Sequence, residues 1–303
     1  MIFKEENSVN QYVDIPNADV ELYIKREDLL HEFVSGNKFR KLKYNLEEAK
    51  QLRHNTLLTF GGAYSNHIAA VASAGRIMGL KTIGVIRGNE LGDDIESNPT
   101  LNFANQCGMQ FKFVSREDYR LKTEEVFING LRNEYGNFYL IPEGGTNALA
   151  VKGCEEILSA TDFDFDYICC AVGTGGTVSG IINCSKPSQQ VLGFPALKGS
   201  FLHKDISKFA SQANWSLITN YHFGGYAKIN LELVEFINGF KKDYGIPLDP
   251  IYTGKMLFGV MDLIDKGFFS KGSKILAIHT GGLQGVKGMN DYLKKKNLPQ
   301  IEI

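Results

Sequence analysis

From about residue 55 the chain alternates short β-like runs with amphipathic stretches. Such runs read as strands and the amphipathic stretches between them as helices. The alternation predicts a parallel α/β architecture. Strands are expected at Thr56–Phe60, Thr82–Ile86, Gln110–Val114 and Phe138–Ile141, then at Tyr167–Val172, Val191–Phe194 and Lys274–Ile278. A helix should follow Gly61-Gly62 as far as about Met78, and 195–270 should be mostly helical, with Leu231–Phe240 and Lys255–Asp265 the clearest segments. The strand series restarts after the Glu143–Thr146 loop, so we expect a small domain (45–153) inserted into a larger one built from 1–44 and 154–303.

Glycine doublets fall just after predicted strands: Gly61-Gly62, Gly144-Gly145, Gly175-Gly176 and Gly281-Gly282. In open α/β sheets the ligand crevice lies at the carboxyl ends of the strands. Glycine there lets backbone N–H groups approach an anion closely. Four such turns suggest one crevice lined by backbone donors.

Composition narrows the classes. With 43% hydrophobic and 22% charged residues the 303-residue chain reads as a soluble globular protein. A formal net charge of −1 provides no field for nucleic acid or an anionic membrane. Met1–Asn10 is acidic and polar rather than signal-like, and no apolar stretch reaches membrane-spanning length, so the expected location is the cytoplasm. Five cysteines, none in a CxxC pair, argue against a zinc site or a disulfide framework. Adjacent Cys169 and Cys170 should point to opposite faces of a strand as buried small hydrophobes.

Gly173-Thr174-Gly175-Gly176-Thr177 follows the strongest predicted strand and precedes a segment, Val178–Asn183, that can start a helix. Such a loop is an anion cradle, although glycine loops also serve as plain turns. A dinucleotide fingerprint would need glycine where Val178 stands, and a Walker loop needs a lysine and a hydroxyl after its last glycine, where Gly180-Ile181 offers neither. A compact phosphate monoester fits better. Lys38, in Ser35-Gly36-Asn37-Lys38, lies where glycine and asparagine open a basic helix. A solvated helix end is its plain reading; alternatively the helix dipole helps keep its amine neutral and nucleophilic. Ser65-Asn66-His67 opens the next helix, where an N-cap and a carboxylate-binding terminus are compatible readings.

Taken in order, Gly36-Asn37-Lys38, Gly61–His67, Pro142–Asn147, Gly173–Thr177 and His279–Gly282 resemble the D-cysteine desulfhydrase / 1-aminocyclopropane-1-carboxylate (ACC) deaminase family. Lys25–Asp28 and Tyr252–Lys255 also fit, and the likeness runs from about residue 20 to 285. The resemblance implies a tryptophan-synthase-β-like fold (fold type II) with two open, twisted, mostly parallel sheets and helices on both faces. It also implies pyridoxal 5'-phosphate as cofactor, a small amino acid as substrate, and a homodimer. Lys38 matches the cofactor-bearing lysine, Gly173, Thr174, Gly175, Gly176 and Thr177 the phosphate loop, and Asn66 the side chain at the ring hydroxyl. Ser65 matches a residue near the substrate, with the carboxylate docking at the Ser65–His67 helix start. Tyr252 matches one of the two tyrosines that ACC deaminases place over substrate, and Thr280 a hydroxyl at the pyridine nitrogen. Lys41 either assists the phosphate or is a surface charge.

Thr280 offers the pyridine nitrogen only a neutral partner, and Ala277 stands where the deaminase pattern would bring a second tyrosine. The expectation is therefore β-elimination of D-cysteine to pyruvate, ammonia and sulfide, with ACC deamination to 2-oxobutanoate as the alternative. A low-turnover cofactor- or amino-acid-binding protein is a third reading, against which Lys38, Ser65 and Tyr252 together count. An NAD-dependent oxidoreductase is a fourth, disfavoured by Val178.

Overall fold

The computed structural model describes residues 5–93, 95–199 and 201–303; the first four residues of the polar N-terminal stretch lie outside it. Among the described residues the strands form two sheets. The smaller is wholly parallel, in the order β5-β4-β3-β6, from β3 (Thr56–Gly61), β4 (Lys81–Arg87), β5 (Met109–Val114) and β6 (Tyr139–Ile141). The larger has the order β1-β2-β10-β7-β8-β9 and is built from β1 (Asn10–Val13), β2 (Glu21–Lys25), β7 (Tyr167–Val172), β8 (Gln190–Pro195), β9 (Trp215–Leu217) and β10 (Lys274–Ile278). Only β1 runs antiparallel to its neighbour.

The seven strands expected from apolar runs are all present, displaced by a residue at most. The pattern did not reveal β1, β2 and β9, whose short sequences Asn-Gln-Tyr-Val, Glu-Leu-Tyr-Ile-Lys and Trp-Ser-Leu are too polar or too brief. Strand β2 gains its place by pairing with β10 some 250 residues later, a contact no local pattern announces.

Helices cover both faces of each sheet. On one face of the large sheet, Leu22, Cys169, Leu192 and Ile275 pack with α8 (Leu231–Tyr244), α9 (Thr253–Asp265) and α10 (Val286–Lys295). On the other, Ile168, Cys170, Val191 and Leu276 pack with α6 (Gly176–Cys184) and α7 (Phe201–Ser207). Cys169 and Cys170 thus occupy opposite faces, and burial pushes both thiols up. The small sheet is covered by α1 (Asn37–Gln51), α2 (Asn66–Met78) and α3 (Pro99–Gln106) on one face and by α4 (Glu125–Tyr135) on the other, and α5 (Ala148–Cys154) packs against α1 and α6. Helix α1 runs unbroken through residue 45.

Candidate active site

The carboxyl ends of β3, β4, β6, β7 and β10 open on one cavity of about 1330 Å³. Gly62, Gly144, Gly173, Gly175, Gly281 and Gly282 line it, so residues from all four glycine doublets meet in a single crevice.

Lys38 is the second residue of α1 and sits in the cavity wall. Its helix is held from outside the site. Glu27, fully buried, grips the Arg40 guanidinium with both oxygens (2.9 and 3.1 Å), and its carbonyl accepts from Gly36 N at 3.0 Å. Gly36 has φ +57°, and a Cβ there would lie 2.1 Å from Thr280 O. Asn37 N donates to that same oxygen, and Asn37 Nδ2 donates to Thr177 Oγ1 at 2.8 Å. The lysine helix is thereby docked on the Thr280 turn and tied to the glycine loop. Burial, reinforced by the nearby charge of Lys41, lowers the Lys38 amine from 10.5 to about 7. A substantial fraction is neutral at physiological pH, as a nucleophile or base requires.

Lys41 is no surface charge: it is 2% exposed, and its ammonium donates to Gly144 O (3.0 Å), Thr146 Oγ1 (2.9 Å) and Thr174 Oγ1 (3.4 Å). A buried cation beside the Gly173–Thr177 loop supplies charge, while α6 supplies a helix N-terminus. Thr174, Gly175 and Thr177 face the cavity with Gly173, whereas Gly176 lies outside its lining. A Cβ at Gly176 would meet Thr146 Cγ2 at 2.9 Å and Lys41 Nζ at 3.3 Å, so packing explains that glycine.

At the α2 terminus Ser65 caps the helix, its hydroxyl accepting from Ile68 N at 3.4 Å. The N–H groups of Asn66 and His67, in the first turn, lack intrahelical acceptors. The His67 ring turns inward: it is 2% exposed and bonds Thr59 Oγ1 through Nε2 at 2.8 Å. Burial, with the charges of Lys38 and Lys41, holds its pKa well below 6.5, so it is neutral. Asn66 Oδ1 accepts from Gln284 Nε2, and a Cβ at Gly282 would lie 2.9 Å from Asn66 Nδ2. Gln284 and Glu27 orient site residues, yet their functions leave no mark in the local pattern.

Tyr252 leans on the end of β7, where a Cβ at Gly173 would lie 3.3 Å from its hydroxyl. Burial first, then the neighbouring Tyr226 hydroxyl and the Asp249 carboxylate, raise its proton affinity well above the usual 10. Tyr252 is therefore a neutral phenol. Tyr226, which the sequence reading passed over, stands beside it with ring centroids 6.3 Å apart, both rings lining the cavity. Ala277 does not: it is buried within the large-sheet core, paired with Ile24 and Cys169. Position 277 thus carries no tyrosine, but Tyr252 does not stand alone: Tyr226 supplies a second phenol in the cavity wall. Thr280, 7% exposed, lines the cavity beside Gly281 and Gly282.

A family profile described as "Pyridoxal-phosphate dependent enzyme" matches residues 8–281. A putative 1-aminocyclopropane-1-carboxylate deaminase of Pyrococcus horikoshii is 32% identical over 92% of this chain and 91% of its own. The bifunctional D-cysteine desulfhydrase/1-aminocyclopropane-1-carboxylate deaminase of Arabidopsis thaliana is also 32% identical, over 92% of this chain and 76% of its own. Among solved structures, an ACC deaminase homologue superposes with a TM-score of 0.80 at 28% identity, covering 95% of this chain and 93% of that one.

Proposed function

The chain belongs to the pyridoxal-phosphate-dependent enzyme family, and from that premise we propose that it is a lyase releasing ammonia from a small amino acid, with ACC as substrate. Its cofactor is pyridoxal 5'-phosphate. The residues present fit that group. A largely buried amine lowered to about 7 shares its cavity with a glycine loop at a helix N-terminus, and the Lys41 ammonium donates to Thr174 of that loop. Lys38 would hold the cofactor covalently, Thr174, Gly175 and Thr177 its phosphate, and Asn66 and Thr280 its ring. When bound, the cofactor supplies an electron sink for a carbanion at the substrate's Cα.

The protein's own groups do the rest. The α2 terminus, with Ser65 and the Asn66 and His67 N–H groups, binds and orients the substrate carboxylate. Lys38, once released, is the group with a pKa suited to taking and returning protons near neutrality. Tyr252 and Tyr226 are neutral phenols beside the same cavity, suited to donating a proton.

That tyrosine pair is the observation that carries the choice of substrate. Opening the cyclopropane turns one ring methylene into a methyl group, so a proton donor must face that carbon. The order of substrates favoured by the sequence is therefore reversed: of the two reasons for demoting ACC, the neutral hydroxyl of Thr280 and a missing tyrosine, the second falls away, and the names of the relatives lean the same way. D-cysteine is retained as the second reading because Thr280 offers a neutral hydroxyl, which β-elimination of a thiolate tolerates more readily than ring opening does. The test is a side-by-side assay of 2-oxobutanoate from ACC against pyruvate and sulfide from D-cysteine. Turnover of ACC equal to or above that of D-cysteine is expected. Activity on D-cysteine alone would establish the second reading, and activity on neither would refute both.

The same proposal assigns the small domain to 45–153 and the large one to 1–44 with 154–303, and places a homodimer in the cytoplasm. Among the described residues no helix is long and apolar enough to cross a membrane.

A further inference from the structure

Lys255, in the first turn of α9, is among the most deeply buried side chains of the described residues, and the chemistry above does not use it. A buried ammonium is costly unless hydrogen-bonded. Two hydrogen bonds are observed: Nζ donates to His222 O at 3.0 Å and to Gly225 O at 2.8 Å. Both acceptors belong to the turn immediately before Tyr226. Asp249, the carboxylate that acts on Lys255 from nearby, is occupied with Ile251 N, Tyr252 N, Thr253 N and Thr253 Oγ1. An apolar side chain would fill this position more cheaply, so the charge serves the turn.

The turn needs such a fastening. Phe223 (φ 52°) and Ala227 (φ 54°) are in the left-handed region that side chains disfavour, with Gly224 and Gly225 also at positive φ between them. His222 O and Gly225 O already accept turn bonds from Gly225 N and Lys228 N, and the ammonium is the group that spans both. Lys255 lies three residues after Tyr252 on α9, so one helix end carries one tyrosine and fastens the loop that carries the other. Tyr226 itself is 44% exposed, and the ring it meets edge-on is that of Tyr252.

We infer that Lys255 is a positioning residue: its ammonium fastens the 222–225 turn and thereby sets the Tyr226 hydroxyl against Tyr252. The inference rests on the reading of these two phenols as substrate-facing. The test uses the holoenzyme with Lys255→Met, or Lys255→Gln if the first variant does not fold. Hydrogen exchange of residues 218–230 should accelerate at least tenfold in the variant, an outcome that needs no substrate. On the substrate that wild type turns over, kcat should fall at least tenfold with KM changed less than threefold. Placed on a Tyr226→Phe background, the same substitution should lower kcat less than a further twofold, because its effect runs through that hydroxyl. Unchanged exchange overturns the inference. So does a kcat loss as large in the Tyr226→Phe background as in wild type, which would mark a purely structural lysine. If wild type turns over neither substrate, the functional reading fails while the exchange comparison still decides whether the ammonium fastens the turn.

Discussion

Gly36→Ala would perturb the joint between the lysine helix and the Thr280 turn. The added Cβ would lie 2.1 Å from Thr280 O, 2.3 Å from its carbonyl carbon and 2.7 Å from Gly281 N. All three are backbone atoms, so no rotamer change relieves the overlap. Ordinary contact would require the two segments to separate by about 1.3 Å. The backbone at φ +57°, ψ −133° adds strain of roughly 1–3 kcal/mol for a residue with a side chain. Overpacking adds about 1–3 kcal/mol more. Because Lys38 is two residues away, a shift near 1 Å at this joint should lower kcat/KM about a hundredfold. Gly79→Ala is the control: Gly79 also has positive φ (+68°), but nothing lies within 4 Å of the added carbon. It should cost about 1 kcal/mol of stability and leave turnover intact. Thermal unfolding, cofactor absorbance and steady-state kinetics on both variants separate the two effects. A folded Gly36→Ala enzyme within threefold of wild-type kcat/KM would refute the claim that this joint sets the site.

Two further predictions concern the cofactor. Burial and the like charge of Lys41 lower the Lys38 amine to about 7, so its reactive neutral form grows as pH rises through 7. Cofactor uptake trapped by borohydride on a Lys38 peptide should rise through that pH and then level off. Lys41→Met removes the like charge and should move the midpoint upward; a wild-type midpoint near 10.5, or label on another lysine, would sink this reading. Gly175→Val puts a side chain at φ +85° with its Cβ 3.0 Å from Ile206 Cγ1 at the mouth of α6. Cofactor affinity should fall at least tenfold with only a few degrees lost in Tm, and unchanged affinity would remove the phosphate role from this loop.

How much of this was legible in sequence depends on the range of the forces involved. Short β-like runs marked seven strands: six are largely apolar because they are buried on both faces, and the edge strand β5 alternates Gln110 and Lys112 with apolar residues. The glycine doublets marked the crevice for a similarly local reason: each lies where a strand ends and backbone must approach a ligand or another turn. Lys38, Ser65, Asn66, Tyr252 and Thr280 were recognisable because each belongs to a short ordered motif. Tertiary structure alone brought β2 beside β10, across some 250 residues. It alone buried Lys41, whose neighbours in the helix look like a solvated basic face, and bonded the buried His67 ring to Thr59. It placed Ala277 in the sheet core and Tyr226 beside Tyr252, the pair on which the proposed preference for ACC rests, against one argued from residues 277 and 280. Those outcomes depend on which backbone segments pack against which, and a side chain's burial or partner at long sequence separation leaves no periodic trace in the chain.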